Sequence, residues 1–337
     1  MTKGVPAILY PAALFAQQSA LDPAGPGAGD IGKLGAIFLG LLSLIFLIVI
    51  VLALIPLFRG HRGIEQEPLE RTHRPSAWTE GRLTAAVGTA TAATIVILIA
   101  LVIGSVFVGK ATSHSLNRAH SLVVEITANQ WWWSVRYMND DPSRIVITAN
   151  ELHIPIGRPV MIRGTSNDVI HSFWVPNLQG KRDLIPSRIT TEWIQADRPG
   201  RFRGQCAEFC GLQHAHMALW VVSEPASQFE LWYAHQLEPA ADPSQSHEQR
   251  GREAFLNSAC ILCHTIEGTT AAGRVGPDLT HFGSRLTLAA GTLANNKGNL
   301  AGWLADPQSI KPGTRMATVP IRAEDMQPLI DYLEALR

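Results

Sequence analysis

Gly204-Gln-Cys206-Ala-Glu208-Phe-Cys210-Gly-Leu-Gln-His214-Ala-His-Met217, taken with the lone His171 of the apolar run Asp168-Val-Ile-His171-Ser-Phe-Trp-Val-Pro176, decides how this chain reads. A mononuclear blue copper centre needs an upstream His, then Cys, His and Met close together on a loop. His171 followed by Cys210, His214 and Met217 supplies that set, and Cys206 adds a second thiolate four residues before Cys210. Two soft thiolates at this spacing can bridge two copper ions, each then taking one imidazole and one weak axial ligand, the binuclear arrangement called CuA. Cys-x3-Cys alone also suits a disulfide or half of a zinc site. Against these, Met disfavours zinc, and structural zinc patterns need two pairs of Cys or His ligands. Copper chaperones of the thioredoxin fold share the Cys-x3-Cys spacing but carry their His far downstream, whereas here it follows at four residues.

The likeness to a known family extends beyond these ligands. Asp168-Val-Ile-His171-Ser-Phe-Trp-Val-Pro176, Gly204-Gln-Cys-Ala-Glu-Phe-Cys-Gly211 and Gln130-Trp131-Trp132-Trp133-Ser134 resemble blocks of subunit II of the haem-copper cytochrome c oxidases. The resemblance implies that Cys206 and Cys210 bridge the coppers and that His171 and His214 are terminal ligands. It also implies that Met217 and the backbone carbonyl of Glu208 are axial ligands, with the Glu208 side chain reaching a magnesium site shared with subunit I. By the same resemblance, electrons reach CuA from a cytochrome c through Trp131. Three adjacent Trp on a strand alternate faces. Trp132 and Trp133 are read as packing, membrane-interface or subunit-contact residues.

A second metal signal is Cys260-Ile-Leu-Cys263-His264, the attachment sequence of a c-type haem. Two thiols one helical turn apart add to the porphyrin vinyls, and the adjacent His becomes the proximal iron ligand. Gly276-Pro-Asp-Leu279 and Lys311-Pro-Gly-Thr-Arg-Met316 resemble the loops that flank the haem and supply its distal Met in class I cytochromes c, which makes Met316 the sixth-ligand candidate. Met326, in a closing amphipathic helix over residues 324–336, reads as packing. Of the four Cys, two go to copper and two to thioethers, leaving none for a disulfide. Haem attachment and CuA assembly place both modules in an oxidising compartment, on the outer side of a bacterial inner membrane. A formal charge of zero gives no sign of a nucleic-acid face.

Residues 36–58 form an apolar stretch long enough to cross a bilayer, with Pro56 near its end. Residues 85–108 span again. Their first half is Ala, Thr and Gly, suited to packing against neighbouring helices. The loop between carries Arg59, Arg62, Arg71, Arg74 and Arg82, while Lys33 and Lys110 flank the outer ends, so the positive-inside rule puts the loop in the cytoplasm and both metal modules outside. Lys3 and the apolar residues 5–16 read as a signal peptide with Leu14-Phe-Ala16 before the cut.

Short β-branched or aromatic runs at 122–127, 145–148, 160–163, 189–196 and 217–222, separated by Gly and Pro, suit a cupredoxin sandwich carrying its ligands on loops at one end. A helix follows at 225–237. His153, His216 and His281 are assigned to hydrogen bonding or solvent contact rather than metal. The expected fold is a multi-module membrane protein with a transmembrane α-helical hairpin, an all-β cupredoxin sandwich and an all-α class I cytochrome c domain. Its expected modules are a signal peptide at 1–16, an N-terminal anchoring segment at 17–110, a CuA domain at 118–237, a Pro- and Ser-rich linker at 238–246 and a cytochrome c domain at 247–337.

The resemblance implies subunit II of a caa3-type oxidase, partnered by subunit I with its haem a and haem-copper centre, by subunit III, and by an external donor such as a cytochrome c. Electrons would run from the donor to haem c, to CuA and on to subunit I, where oxygen is reduced. Two departures stand out. Trp78-Thr79 precedes Glu80 with no Pro inside the following span, which weakens Glu80 as a proton-channel guard. Arg136 and Arg144 accompany Asp140 and Asp141 after the Trp cluster, so a strongly basic donor is not implied. A CuA-bearing nitric oxide reductase subunit and a free-standing membrane-anchored shuttle are the alternatives; the large catalytic domain of nitrous oxide reductase does not fit this length.

Overall fold

The computed structural model describes residues 18–58, 77–114 and 121–337. The expected signal peptide and most of the arginine-rich loop lie outside the described residues. The chain divides into two compact units, Asp30–His114 and the remainder.

The first unit holds helix α1 (Pro26–Phe58) from Asp30 onward and helix α2 (Ala77–His114). Both are long and apolar enough to cross a membrane, and most of their large apolar side chains are exposed. Each is longer than its apolar stretch. In α1 the helix opens at Pro26, whose missing N–H is one that a first turn leaves unbonded anyway. In α2 it opens at Ala77, ahead of Glu80 in its first turn, where a carboxylate suits the positive end of the helix dipole.

The second unit contains two five-stranded sheets and a helical module. Strands β1 (Leu122–Asn129), β2 (Trp132–Tyr137), β3 (Val146–Ala149), β5 (Val160–Ser166) and β8 (Thr190–Ile194) form one sheet, in the order β3-β2-β1-β5-β8. Strands β4 (Glu151–Pro155), β6 (His171–Trp174), β7 (Arg182–Leu184), β9 (Gly200–Cys206) and β10 (Ala218–Glu224) form the other, in the order β4-β10-β9-β6-β7. Alternate residues of β1 and β5 turn inward, as the two-residue period of a half-buried strand requires. Val124, Ile126, Val135, Leu152, Ile154, Phe173 and Leu219 meet between the sheets to make the core. Strands β4, β6, β7 and β9 fall outside the runs expected as strands. In β9, Arg201 and Arg203 alternate with inward Phe202 and Gly204, so its charged open face hides the strand signal.

The Trp cluster alternates in burial, although its first member precedes the strand. β2 starts at Trp132, so Trp131 belongs to the turn before it; Trp131 and Trp133 are buried and Trp132 is half-buried. Trp133 packs edge-on against His171 and Phe173.

Helix α3 (Ala226–Gln236) follows the sandwich, and after it come α4 (Ser246–Leu256), α5 (Lys297–Ala305), α6 (Pro307–Ile310) and α7 (Ala323–Ala335). Leu329, Ile330 and Leu333 of α7 form an apolar stripe that meets Phe255 of α4 and Leu300 and Leu304 of α5 in a second core. Met326 packs at the edge of that core, as expected. Asp325 binds Arg250 of α4 at 2.8 Å and Arg322 at 2.6 Å, fixing the start of α7.

The three histidines set aside from metal binding engage in hydrogen bonds. His216 Nδ1 meets Gln213 Oε1 at 2.8 Å and His281 Nε2 meets the Glu238 carbonyl at 3.0 Å. His153 lies between Glu151 at 3.0 Å and Glu224 at 2.9 Å and stacks on Trp232. Both ring nitrogens facing carboxylates demand the doubly protonated imidazolium. Burial pulls the His153 pKa down, but the bonds to both glutamates outweigh it and leave the pKa raised. Its stabilisation is therefore complete below the ordinary histidine pKa of about 6.5 and fades as pH rises through the raised folded value. His153→Gln should accordingly destabilise the sandwich most below that pH, the gap in melting temperature narrowing as pH rises; a pH-independent gap would contradict this.

Candidate metal centre and haem cavity

Three strand ends bring the copper candidates together. His171 opens β6, Cys206 closes β9, and Cys210, His214 and Met217 occupy the loop that leads into β10. His171, Cys206, Cys210 and Met217 are all buried, and His214 is half-buried. The Cys206 and Cys210 sulfurs lie 3.7 Å apart. Around Cys206 Sγ stand His171 Nδ1 at 3.7 Å and the Glu208 carbonyl oxygen at 3.2 Å. Around Cys210 Sγ stand His214 Nδ1 at 3.6 Å and Met217 Sδ at 3.9 Å. Each sulfur thus has one imidazole and one weak ligand beside it. The ligand atoms of His171, Cys206 and Cys210 lie within 4.8 Å of one another.

The electrostatics suit bound cations. The hydrogen bond between the two sulfurs holds the Cys206 pKa down and pushes that of Cys210 up, so the pair shares a proton in the absence of metal. Two adjacent buried thiolates require a compensating positive charge. Thiolates with imidazoles suit copper and zinc alike, and the Met217 thioether beside Cys210 favours copper. All four cysteines are free thiols, so the disulfide reading does not describe this structure.

Asp168 sets the orientation of His171. Its Oδ1 meets His171 Nε2 at 2.8 Å, leaving Nδ1 to face the sulfurs, while its Oδ2 accepts from the Gln130 amide at 2.7 Å. A carboxylate on the outer nitrogen of a ligating His fixes its tautomer and raises its basicity. Asp168 lies three residues before His171 in the quoted block, and this spacing was the available signal for its role.

Trp131 reaches the same loop. Its indole Nε1 donates to the Cys210 carbonyl at 2.9 Å, beside Gln130 Nε2 at 2.8 Å. Glu208 differs from the other expected ligands: its carboxylate is exposed, and among the described residues it joins no cluster of three metal-ligating side chains, so nothing here supports magnesium.

Cys260, Cys263, His264 and Met316 converge on one largely apolar cavity, which Trp131 and Trp132 also line. Both cysteines sit at a 3₁₀ turn, Ala259–Leu262. His264 Nδ1 bonds the Pro277 carbonyl at 2.7 Å, which leaves Nε2 for iron. Burial lowers the His264 pKa and keeps the imidazole neutral, the ligating form. A Cβ at Gly276 would lie 2.7 Å from His264 Cε1, so glycine lets this loop close over the ring. Gln308 Nε2 donates to the carbonyls of Thr314 and Met316 and shapes the loop that presents Met316. The donor set and the cavity fit a covalent c-type haem, which Cys260, Cys263, His264 and Met316 would hold.

Copper content tests the first site. The unmutated protein should bind two coppers per chain and show one unpaired electron shared equally by both nuclei. Cys206→Ser should abolish the sharing; a single copper with an ordinary blue-site spectrum in the unmutated protein would refute the paired-thiolate assignment. For the second site, Met316→His should keep the haem attached and lower its potential, since thioether ligation favours ferrous iron. An unchanged potential would remove Met316 as the ligand.

Comparison with known proteins finds two families in this chain. Residues 138–224 match the periplasmic domain of cytochrome c oxidase subunit II, and residues 248–337 match cytochrome c. Cytochrome c oxidase subunit 2 of Alkalihalophilus pseudofirmus is 36% identical over 219 residues, covering 65% of this chain and 62% of that protein. The same subunit of Bacillus sp. strain PS3 is 34% identical over 240 residues, covering 68% and 66%. The chain therefore spans a little under two thirds of the length of these relatives. The solved periplasmic domain of subunit II of cytochrome oxidase from Bradyrhizobium japonicum is 28% identical, covering 34% of this chain and 92% of that one at a TM-score of 0.32. This polypeptide joins a periplasmic domain of the cytochrome c oxidase subunit II family to a domain of the cytochrome c family.

Proposed function

We propose that this chain is the electron-transfer subunit II of a caa3-type cytochrome c oxidase, anchored by two membrane helices with both metal modules on the outer face. The observation that carries this reading is Trp131, which lines the haem cavity on one side and hydrogen-bonds the backbone of Cys210 on the other. When bound, haem c and CuA supply one-electron couples that connect an external carrier, such as a cytochrome c, to subunit I, where oxygen is reduced to water. Cys260, Cys263, His264 and Met316 hold the haem; His171, Cys206, Cys210, His214, Met217 and the Glu208 carbonyl hold the copper pair.

The protein's own contribution is rigidity and dryness. Ligands at three strand ends of a packed sandwich move little when charge changes, which keeps the reorganisation cost of electron transfer low. Asp168 keeps His171 in one tautomer, and the buried Trp131 fills the gap between cavity and copper loop so that water does not. Subunit III follows only from the family likeness. The purified complex should consume oxygen with a reduced one-electron donor; turnover of nitric oxide without oxygen consumption would favour the reductase reading, and neither activity would favour a shuttle.

Trp131→Phe tests the route within the chain. It removes the bond to the Cys210 carbonyl but no metal ligand, so copper content and spectrum should stay nearly intact while CuA reduction by haem c slows. Trp132→Phe should slow it less, since that indole lines the cavity without such a bond to the copper loop. Equal slowing in both, or none in Trp131→Phe, would place the route elsewhere.

A further inference from the structure

Lys311 is the least exposed lysine of the cytochrome module, at 2% relative exposure, and its side chain crosses into the sandwich. Its Nζ donates to the carbonyls of Trp131 at 2.9 Å, His216 at 2.8 Å and Ala289 at 3.0 Å. Three acceptors match the three N–H groups of an ammonium. Two of them belong to the sandwich and one to the cytochrome module. Burial draws the Lys311 pKa down to about 7 against the opposing charge of Cys210.

The neighbouring contacts follow the same seam. Gln213 Nε2 donates to the Pro312 carbonyl at 2.7 Å, and the Ala218 amide donates to the Ala290 carbonyl at 2.9 Å. Gly313, at φ +82°, lies so close to Leu212 that a Cβ there would sit 3.0 Å from its Cδ2. Arg315 pairs with Asp168 at 3.5 Å, the carboxylate that orients His171. The segment that presents Met316 is thus fastened at several points to the loop that presents Cys210 and His214. Lys311 is the fastening that also grips Trp131.

We propose that Lys311 is a positioning residue for electron transfer, caging the Trp131 and His216 carbonyls so that the haem cavity is held against the copper loop rather than swinging on the linker. The proposal rests on the functional reading above. A tethered donor that docks and leaves transfers electrons only in the docked fraction of time, whereas a fastened one is always docked.

The test uses the complete chain, loaded with haem and copper, in its complex. Lys311→Met keeps the bulk and removes every donor. It should leave the copper spectrum, the Met316–iron absorption band and the haem potential unchanged, while the first-order rate of CuA reduction by haem c falls about tenfold or more. Lys311→Gln, which keeps two donors on a shorter side chain, should fall in between. A protease site placed within residues 238–246 gives a readout independent of the rate: after cleavage the cytochrome fragment should stay bound in the unmutated protein and dissociate in Lys311→Met. Unmutated protein lacking any internal transfer would sink the functional reading. Normal transfer in the unmutated protein together with an unchanged rate and a retained fragment in Lys311→Met would overturn the role of Lys311 alone, as would failure of both variants to assemble, which would make it a folding residue.

Discussion

Two sulfurs held 3.7 Å apart inside a protein are the constraint on which the rest of this structure depends. As thiolates they repel one another and have little water to screen them, so the fold must supply cations and a scaffold stiff enough not to relax away. The sandwich meets the second demand by placing Cys206 at the end of β9, His171 at the start of β6, and Met217 just ahead of β10. β9 pairs with both β6 and β10: Cys206 lies opposite Phe173 and its amide donates to the Met217 carbonyl at 2.9 Å, while His171 pairs with Leu184 of β7. A bound metal pair would meet the first demand, with imidazoles, a thioether and a carbonyl standing beside the two sulfurs.

Around that core the backbone of Cys210 becomes a junction. Its carbonyl accepts from Gln130 and from Trp131, and the Trp131 carbonyl in turn accepts from Lys311. Copper loop, indole and cytochrome module are therefore linked by a short run of hydrogen bonds whose donors and acceptors are shielded from water. A second run goes from Arg315 through Asp168 to His171. Shielded polar contacts gain strength from their surroundings and cost most when one partner is lost. Arg285 adds to the seam, with its Nη2 donating to Thr148 of the sandwich, and the adjacent Leu286 amide bonds Glu151.

The clustering of the candidate ligands was legible because ligand type and spacing are local properties of a sequence. Cys206, Cys210, His214 and Met217 fall within twelve residues, and Cys260, Cys263 and His264 within five. The apolar spans were legible for the same reason, although Pro26 and Ala77 start their helices well ahead of the apolar residues. Strand β9 was hidden by its arginines, whereas the three Trp alternate in burial even though Trp131 precedes β2. Lys311 was readable only as part of a haem-flanking loop, because its partners are backbone carbonyls 180, 95 and 22 residues away and carbonyls leave no mark on sequence. Glu208 shows the opposite limit: a side-chain role carried over by likeness needs groups from another subunit to become visible.

The central claim is that one polypeptide holds a haem cavity and a paired-thiolate copper loop as neighbours across Trp131. Rapid mixing of the fully loaded chain with a reductant that reaches the haem first, repeated over a wide range of protein concentration, tests it most directly. CuA reduction should follow haem oxidation at a rate independent of protein concentration. A rate that rises in proportion to concentration would mean that the electron passes between molecules, and would contradict it.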